Sequence, residues 1–371
     1  MANVMSPQKT PLVDKLRQRI ERDGPLTVAD WMQACLADPD HGYYMTRDPF
    51  GRRGDFTTAP EISQMFGELL GLWAAVVWQQ MGSPGAFRLV EIGPGRGTLM
   101  ADALRATASV PGFAGALNVH MVETSPVLQA SQQKTLAGAA SPVSWHRDFS
   151  EVPDGPVILL ANEFLDALPA RQVIRHQGAW HERRIDLKED AFVFVIGEAV
   201  DEQAIPASLR EAESGSIFEV SDAVRDVTAA ISARLSQSGG AALLIDYGHA
   251  TSGLGDTLQA LKGHGFADPL AYPGEQDLTV HVDFDAAGRS ASAAGARVWG
   301  PLAQGDLLER LGIAARAVAL LAGADKSQAQ DIATARRRLV DTDAMGRLFK
   351  AMALTHPDAP APPGFETVSW A

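Results

Sequence analysis

The chain has 371 residues, 46% of them hydrophobic and 21% charged, with a formal net charge of −13 at pH 7. That much apolar material excludes disorder over the whole length, and at this length one large domain or two are compatible. The acidic balance argues against nucleic acid as a partner, which needs a basic surface to displace counterions from phosphates.

Cys35 is the single cysteine, so no internal disulfide and no cysteine-based zinc site can form. That fits a reducing compartment, and Cys35 itself reads as buried filler in a helix. The opening residues MANVMSPQKT have neither the apolar core of a signal peptide nor the arginine-rich character of a transit peptide. The longest apolar run, Leu69 to Trp78, falls far short of the ~20 residues that span a bilayer. A soluble cytoplasmic protein with no membrane insertion is expected.

In chain order, Thr27 and Asp30 are spaced as a capping box heading the helix VADWMQACLA. A loop rich in Gly, Pro, Asp and Arg covers residues 38–59. Thr58 and Glu61 make a second capping box, opening a helix with apolar residues at 62, 65, 66, 69, 73, 76 and 77, one buried face at helical period. Gly67 and Gly71, four apart on it, let another helix approach closely. Gly82-Ser83-Pro84-Gly85 then breaks the chain.

Strands and helices alternate from there. FRLVEI (87–92), LNVHMVE (117–123), VSWHRD (143–148), PVILLAN (156–162) and LLIDYG (243–248) read as strands. The helices are TLMADALRATA, a segment from Pro126 to about Leu136, and VSDAVRDVTAAISARL. This alternation predicts an open, mostly parallel α/β sheet. Residues 171–199 look like an inserted β-meander, and residues 251–290 are a Gly/Asp/Pro-rich excursion ending in the period-two strand DLTVHVDF. ARVWG (296–300) reads as a strand, GDLLERLGI as a helix, residues 313–354 as helical, and PGFETVSWA as a last strand.

The strongest local chemistry lies in Glu91-Ile92-Gly93-Pro94-Gly95-Arg96-Gly97-Thr98, between an apolar strand and a helix. Gly93, Gly95 and Gly97 permit a tight turn and a close backbone approach to a ligand, and the helix start offers free N–H groups. The spacing is Gly-x-Gly-x-Gly, not the dinucleotide Gly-x-Gly-x-x-Gly, which makes a nicotinamide dehydrogenase the least favoured reading. With Glu91 ahead, it resembles the first motif of class I S-adenosylmethionine-dependent methyltransferases. There the acid contributes to the site of the cofactor's amino acid part. Pro94 and Thr98 of the same turn are expected, with the three glycines, to bind the cofactor. Glu123 ends the second strand, thirty residues after Gly93, where a carboxylate can accept from both ribose hydroxyls. Asp148 ends the third, where class I methyltransferases often place an acid near the adenine amino group.

The fourth strand runs into Ala161-Asn162-Glu163-Phe164-Leu165-Asp166-Ala167-Leu168-Pro169. Asn162 can cap a short helix, which would put Glu163 and Asp166 on one face. Two carboxylates there could clamp a guanidinium through charge-assisted hydrogen bonds. Asn-Pro-Pro-Tyr, carried here by many methyltransferases acting on glutamine or nucleobase nitrogens, is missing.

At this point the chain resembles the MidA-like methyltransferases, which include the mitochondrial complex I assembly factor with protein arginine methyltransferase activity. The blocks that carry the resemblance are LADPDHGYYMTRDPFGRRGDFTTAPEISQMFGELLGLW (36–73), VEIGPGRGTLMADALR (90–105), VETSP (122–126), ANEFLDALPARQ (161–172), LLIDYGH (243–249), DLTVHVDF (277–284) and LLERLGI (307–313). Leu302-Ala303-Gln304-Gly305 departs slightly from the family's Thr-Gln-Gly.

The resemblance implies a class I, Rossmann-like methyltransferase sheet. An N-terminal helical extension (1–84) would precede a methyltransferase domain (85–371) with insertions at about 171–200 and 251–290. It implies S-adenosyl-L-methionine as cofactor and, as partner, a protein substrate bearing an arginine, with a complex I core subunit the suspected one. Lacking a presequence, the chain looks like a bacterial member. Asn162, Glu163 and Asp166 are the expected catalytic residues. Asp55, Phe56 and Thr58 of the GDFTTAPE loop are expected to close over cofactor or acceptor, and His281 and Asp283 to line the acceptor site. No metal is expected. The competing readings are a methyltransferase for a small molecule or RNA, and a non-catalytic assembly chaperone.

Overall fold

The computed structural model describes residues 10–51, 54–368 and 370. They form two compact units. One comprises residues up to Phe56 with Asp166–Arg225 and Thr251–Asp283, the other Thr57–Leu165, Asp226–Ala250 and the chain from Phe284 onward.

The second unit is built on a sheet with strands β1 (Phe87–Ile92), β2 (Leu117–Val122), β3 (Val143–His146), β4 (Val157–Asn162), β5 (Gly240–His249), β6 (Arg297–Ala303) and β7 (Phe349–Thr355). Their order is β3-β2-β1-β4-β5-β7-β6. The ladders from β3 through β5 are parallel, and β7 runs antiparallel between β5 and β6. Sequence alternation accounts for this topology. β4 and most of β5 are apolar on both faces, as strands covered by helices on both sides must be. The order reverses between β1 and β4, where open α/β sheets bind ligands beyond the carboxyl ends of their strands.

The helix Gln64–Gln80 buries Phe66, Trp73 and Trp78 in this unit's core with Phe87, Val119, Ile158 and Leu243. Full burial of such side chains contributes about 1.5–3 kcal/mol each. The spacing of Gly67 and Gly71 does what its pattern predicts. A Cβ on Gly71 would lie 2.6 Å from the Ala103 Cα, and one on Gly67 2.7 Å from the Asp102 Cβ, so helix Thr98–Thr107 packs backbone to backbone there.

Three expectations change in this unit. Residues 349–355 are strand, not helix, because this short apolar run fills the gap between β5 and β6 and is buried along most of its length. The C-terminal PGFETVSWA forms turns over its described residues instead of a strand. The Thr58 capping box does not form. Thr58 makes no side-chain cap, the helix Ala59–Ile62 stops after one turn, and Ser63 starts the long helix by accepting from Met65 N–H. Glu61 instead takes the Thr98 hydroxyl and lies 3.6 Å from the Arg96 guanidinium.

The first unit contains the meander. Strands Arg171–His176, Ala179–Lys188 and Ala191–Ala199 pair antiparallel, with Ile217–Val220 and Leu26–Thr27 added at the sides. Helices Pro11–Asp23 and Val28–Ala37 supply Leu16, Ile20, Trp31 and Cys35 to its core, and the Thr27/Asp30 capping box forms as its spacing predicts. DLTVHVDF is not one continuous strand. Asp277–Thr279 pairs with Gln259–Lys262, then the ladder breaks before Val282–Asp283, since Val280 N–H donates to the Asp166 carbonyl and His281 N–H to the Thr257 hydroxyl.

Candidate functional site

The glycine turn at the end of β1 is shaped by its backbone. Gly93, Gly95 and Gly97 have φ of 64°, 52° and 80°, a region that L side chains rarely occupy. Gly97 N–H donates to the Pro94 carbonyl at 2.7 Å, closing the turn, and Gly97 is the N-cap of the helix Thr98–Thr107. The Thr98 hydroxyl donates to Glu61.

Beneath the turn, Glu91 is buried, its carboxyl accepts from Met100 N–H at the helix start, and its Oε2 has no hydrogen-bond partner among the described residues. Burial pushes its pKa well above the usual carboxylate range, the Met100 N–H opposes this, and the nearby Glu123 charge adds to it. A buried oxygen with no partner costs stability; here it lies at the switch point of the sheet, where a ligand bearing N–H groups would satisfy it.

Glu123 follows β2. Its Oε1 accepts from Ser125 N–H at 2.7 Å and its Oε2 from Gln132 Nε2 at 3.0 Å. Burial raises its pKa, and these donors with Thr124 N–H pull it back. Gln132 is a residue that sequence reasoning missed. It is fully buried, and its Nε2 also donates to the Gly95 carbonyl at 2.8 Å while its Oε1 accepts from the Trp145 indole at 3.0 Å. One side chain thus ties the glycine turn to the strand-end acid. A glutamine amid the polar residues of PVLQASQQKT carries no signal of this. Asp148 caps the short 3-10 turn Phe149–Glu151. Two hydrogen bonds from Ser150, side chain and backbone, hold its pKa down.

The end of β4 departs from expectation. Residues 163–170 form bends and turns with no helix, so Glu163 and Asp166 do not share a helical face. Glu163 itself sits at φ 51°, a left-handed conformation that costs a non-glycine residue about 1–3 kcal/mol and persists only where surroundings over-determine it. Its Oε1 accepts from Ala59 N–H at 2.8 Å and from the Asn162 amide at 3.0 Å. Asn162 is buried, and its Oδ1 has no partner among the described residues.

Asp166 belongs to the first unit, where it is buried and faces Asp277, a residue sequence reasoning passed over. Asp277 accepts from the Tyr44 hydroxyl at 2.7 Å. Burial raises its pKa to about 8, the Asp166 charge adds to this, and the Tyr44 hydroxyl and Leu278 N–H oppose it. A carboxyl whose pKa is raised on folding contributes stability that is full below the unfolded value and lost as pH rises through the folded one. Denaturant midpoints of the wild type are therefore expected to fall between pH 5 and pH 8.5. Asp277→Asn, which keeps an acceptor for Tyr44, is expected to flatten that fall. An equal fall in the variant would refute the assignment.

The remaining candidates have structural partners. Asp55 accepts from the Tyr43 hydroxyl at 2.7 Å and from Gly263 N–H at 2.6 Å, and Phe56 packs edge-on against Phe50 with ring centroids 5.2 Å apart. Asp283 accepts from the Ser252 hydroxyl at 2.6 Å. His281 and Asp283 flank the start of the strand after the break. Among the described residues no cluster of three or more His, Cys, Asp or Glu side chains could hold a metal ion, and no helix is long and apolar enough to cross a membrane.

Comparison with known proteins shows the family. The sequence model of a family described as S-adenosyl-L-methionine-dependent methyltransferase matches residues 69–302. The chain is 37% identical over 370 residues to the Drosophila melanogaster protein arginine methyltransferase NDUFAF7 homolog, mitochondrial, covering 92% of this chain and 84% of that one. It is 36% identical over 373 residues to the human protein arginine methyltransferase NDUFAF7, mitochondrial, covering 93% and 83%. A crystal structure of a COG1565 superfamily member from Burkholderia thailandensis bound to S-adenosyl-homocysteine superposes with a TM-score of 0.84 at 30% identity, covering 98% of each chain. The cytoplasmic expectation is overturned by these relatives, which are named mitochondrial. Composition and a missing cysteine framework read the same in either compartment, so neither held the answer.

Proposed function

The chain belongs to the family of S-adenosyl-L-methionine-dependent methyltransferases, its sheet is the class I methyltransferase sheet, and from that premise we propose that it is a protein arginine N-methyltransferase. The orientation of Asn162 carries the choice of acceptor. Glu163 Oε1 can only accept, and it takes the Asn162 NH2 together with Ala59 N–H. That fixes the amide and leaves Asn162 Oδ1 buried without a partner among the described residues. A strand end presenting a carboxylate and an orphaned carbonyl oxygen demands positive charge and N–H donors. A guanidinium has five donors and no acceptor. The names of the relatives support the arginine reading. The family resemblance extends the proposal to a core subunit of respiratory complex I.

The residues at the end of β1 fit the cofactor. Glu91 Oε2 lacks the N–H donor that the ammonium of a methionine group brings, and the acceptor capacity left on the Glu123 carboxylate suits a ribose hydroxyl. Gly93, Gly95 and Gly97 present backbone without Cβ atoms beside them. When bound, S-adenosylmethionine supplies an electrophilic methyl group on a sulfonium. The chain then has to orient the acceptor. Asn162 Oδ1 accepts from one guanidinium nitrogen and fixes its direction, and Glu163 stabilises the cation. Such alignment supplies about 7–11 kcal/mol of a displacement barrier.

Incubation of the purified chain with methyl-labelled S-adenosylmethionine and an extract from cells lacking the protein, followed by mass spectrometry, tests the reading. The expected result is label on an arginine of a protein. Label on glutamine, RNA or a small molecule would overturn it, and no transfer beside intact assembly support would favour the chaperone.

A further inference from the structure

Glu163 is strained, so something must hold it. Asp246, on β5, is fully buried. Its Oδ2 accepts from the backbone N–H groups of Phe164 at 3.1 Å and Leu165 at 2.8 Å, and its Oδ1 from Tyr247 N–H at 2.9 Å. Glu163 N–H donates to the Ile245 carbonyl at 2.9 Å. Three successive amides after β4 are therefore held by two consecutive residues of β5. Phe164, directed by this grip, packs on the glycine turn, where a Cβ on Gly93 would lie 2.8 Å from its Cδ2. A carboxylate suits this place because it accepts at both oxygens. Asparagine would keep one oxygen for Phe164 and Leu165 but turn an NH2 toward Tyr247 N–H.

We propose that Asp246 is a positioning residue for methyl transfer, holding Glu163 in its left-handed conformation and Phe164 against the glycine turn. The proposal rests on the role given to Glu163 above. It assigns Asp246 no contact with substrate; its effect passes through the turn it grips.

A cycle of variants tests it. Asp246→Ala is expected to lower kcat about 100-fold, the scale of a 1 Å misplacement at a reacting centre, with KM for S-adenosylmethionine within about threefold. Asp246→Asn, which keeps the two amide bonds of Phe164 and Leu165, is expected to recover most of the rate. In a Glu163→Ala background, Asp246→Ala should slow the enzyme by much less than 100-fold, leaving only the part that passes through Phe164. Unchanged kcat in Asp246→Ala, or additive losses in the double variant, would overturn the proposal.

A second readout needs no acceptor. Hydrogen exchange at the Phe164 and Leu165 amides should quicken about tenfold or more in Asp246→Ala while β4 and β5 stay protected. Unchanged exchange there, or loss of protection through the whole sheet, would also overturn it. A wild type that labels no arginine would defeat the arginine reading alone, since the exchange result stands apart from it.

Discussion

Replacing Glu163 with glutamine is expected to lower kcat about 10²–10³-fold, the usual effect of deleting one preorganised electrostatic contact in an active site, while the fold stays intact. Glutamine is nearly isosteric and keeps a carbonyl Oε1, so Ala59 N–H and the Asn162 amide retain their acceptor. The negative charge goes, and one acceptor oxygen becomes an NH2 donor. Asn162 stays oriented, and the left-handed turn is still held by Ile245 and Asp246. Binding of S-adenosyl-homocysteine, read by calorimetry, should change less than about threefold, since Glu163 follows β4 and the residues proposed for the cofactor lie at the ends of β1 and β2. A variant with wild-type kcat would show that Glu163 merely anchors the start of helix Ala59–Ile62. A large loss of cofactor affinity would place it in the cofactor site instead.

Glu91→Gln should separate binding from folding in the opposite sense. Burial holds the Glu91 carboxyl well above its usual pKa in the free protein, so glutamine resembles the form that burial favours. The melting temperature should therefore hold or rise. Cofactor binding should weaken about 10–150-fold, the 1.5–3 kcal/mol of a hydrogen bond to a charged partner. The sign with pH follows. A cationic ammonium favours the ionised carboxylate, so wild-type affinity should increase as pH rises through the raised pKa of Glu91, and the variant should lose that part of the slope. Glu123, raised by its own burial, contributes the remainder. Titrations on both sides of the raised pKa decide the matter; parallel slopes in the two proteins would remove Glu91 from ammonium binding.

The legible part of the site lay in short segments. The glycine turn and its flanking acid are contiguous, and left-handed φ at three positions within five residues demands glycine in any fold. The close approach of Gly67 and Gly71 to another helix was legible for a similar reason, because helical period puts residues four apart on one face.

The errors share a cause as well. Thr58-Ala59-Pro60-Glu61 carries a capping pattern, yet Glu61 is claimed by Thr98 and Arg96 from another segment. Asn162 to Asp166 carries the residues of a capped turn of helix, yet Asp246 and Ile245 pull its amides into a strained bend. In both places long-range donors and acceptors outcompeted local propensity.

By itself, the sequence determined the alternating elements, the glycine turn and the acids near the ends of β1 and β2, because each follows from periodicity or from backbone freedom within a few residues. Only the tertiary structure decided the partners. It set Phe349–Thr355 between β5 and β6, ran Gln132 from the glycine turn to Glu123, left Asn162 Oδ1 and Glu91 Oε2 without donors among the described residues, and set Asp246 under Glu163. A buried polar atom must be satisfied by whatever the fold brings near it, and local sequence pattern does not name that neighbour.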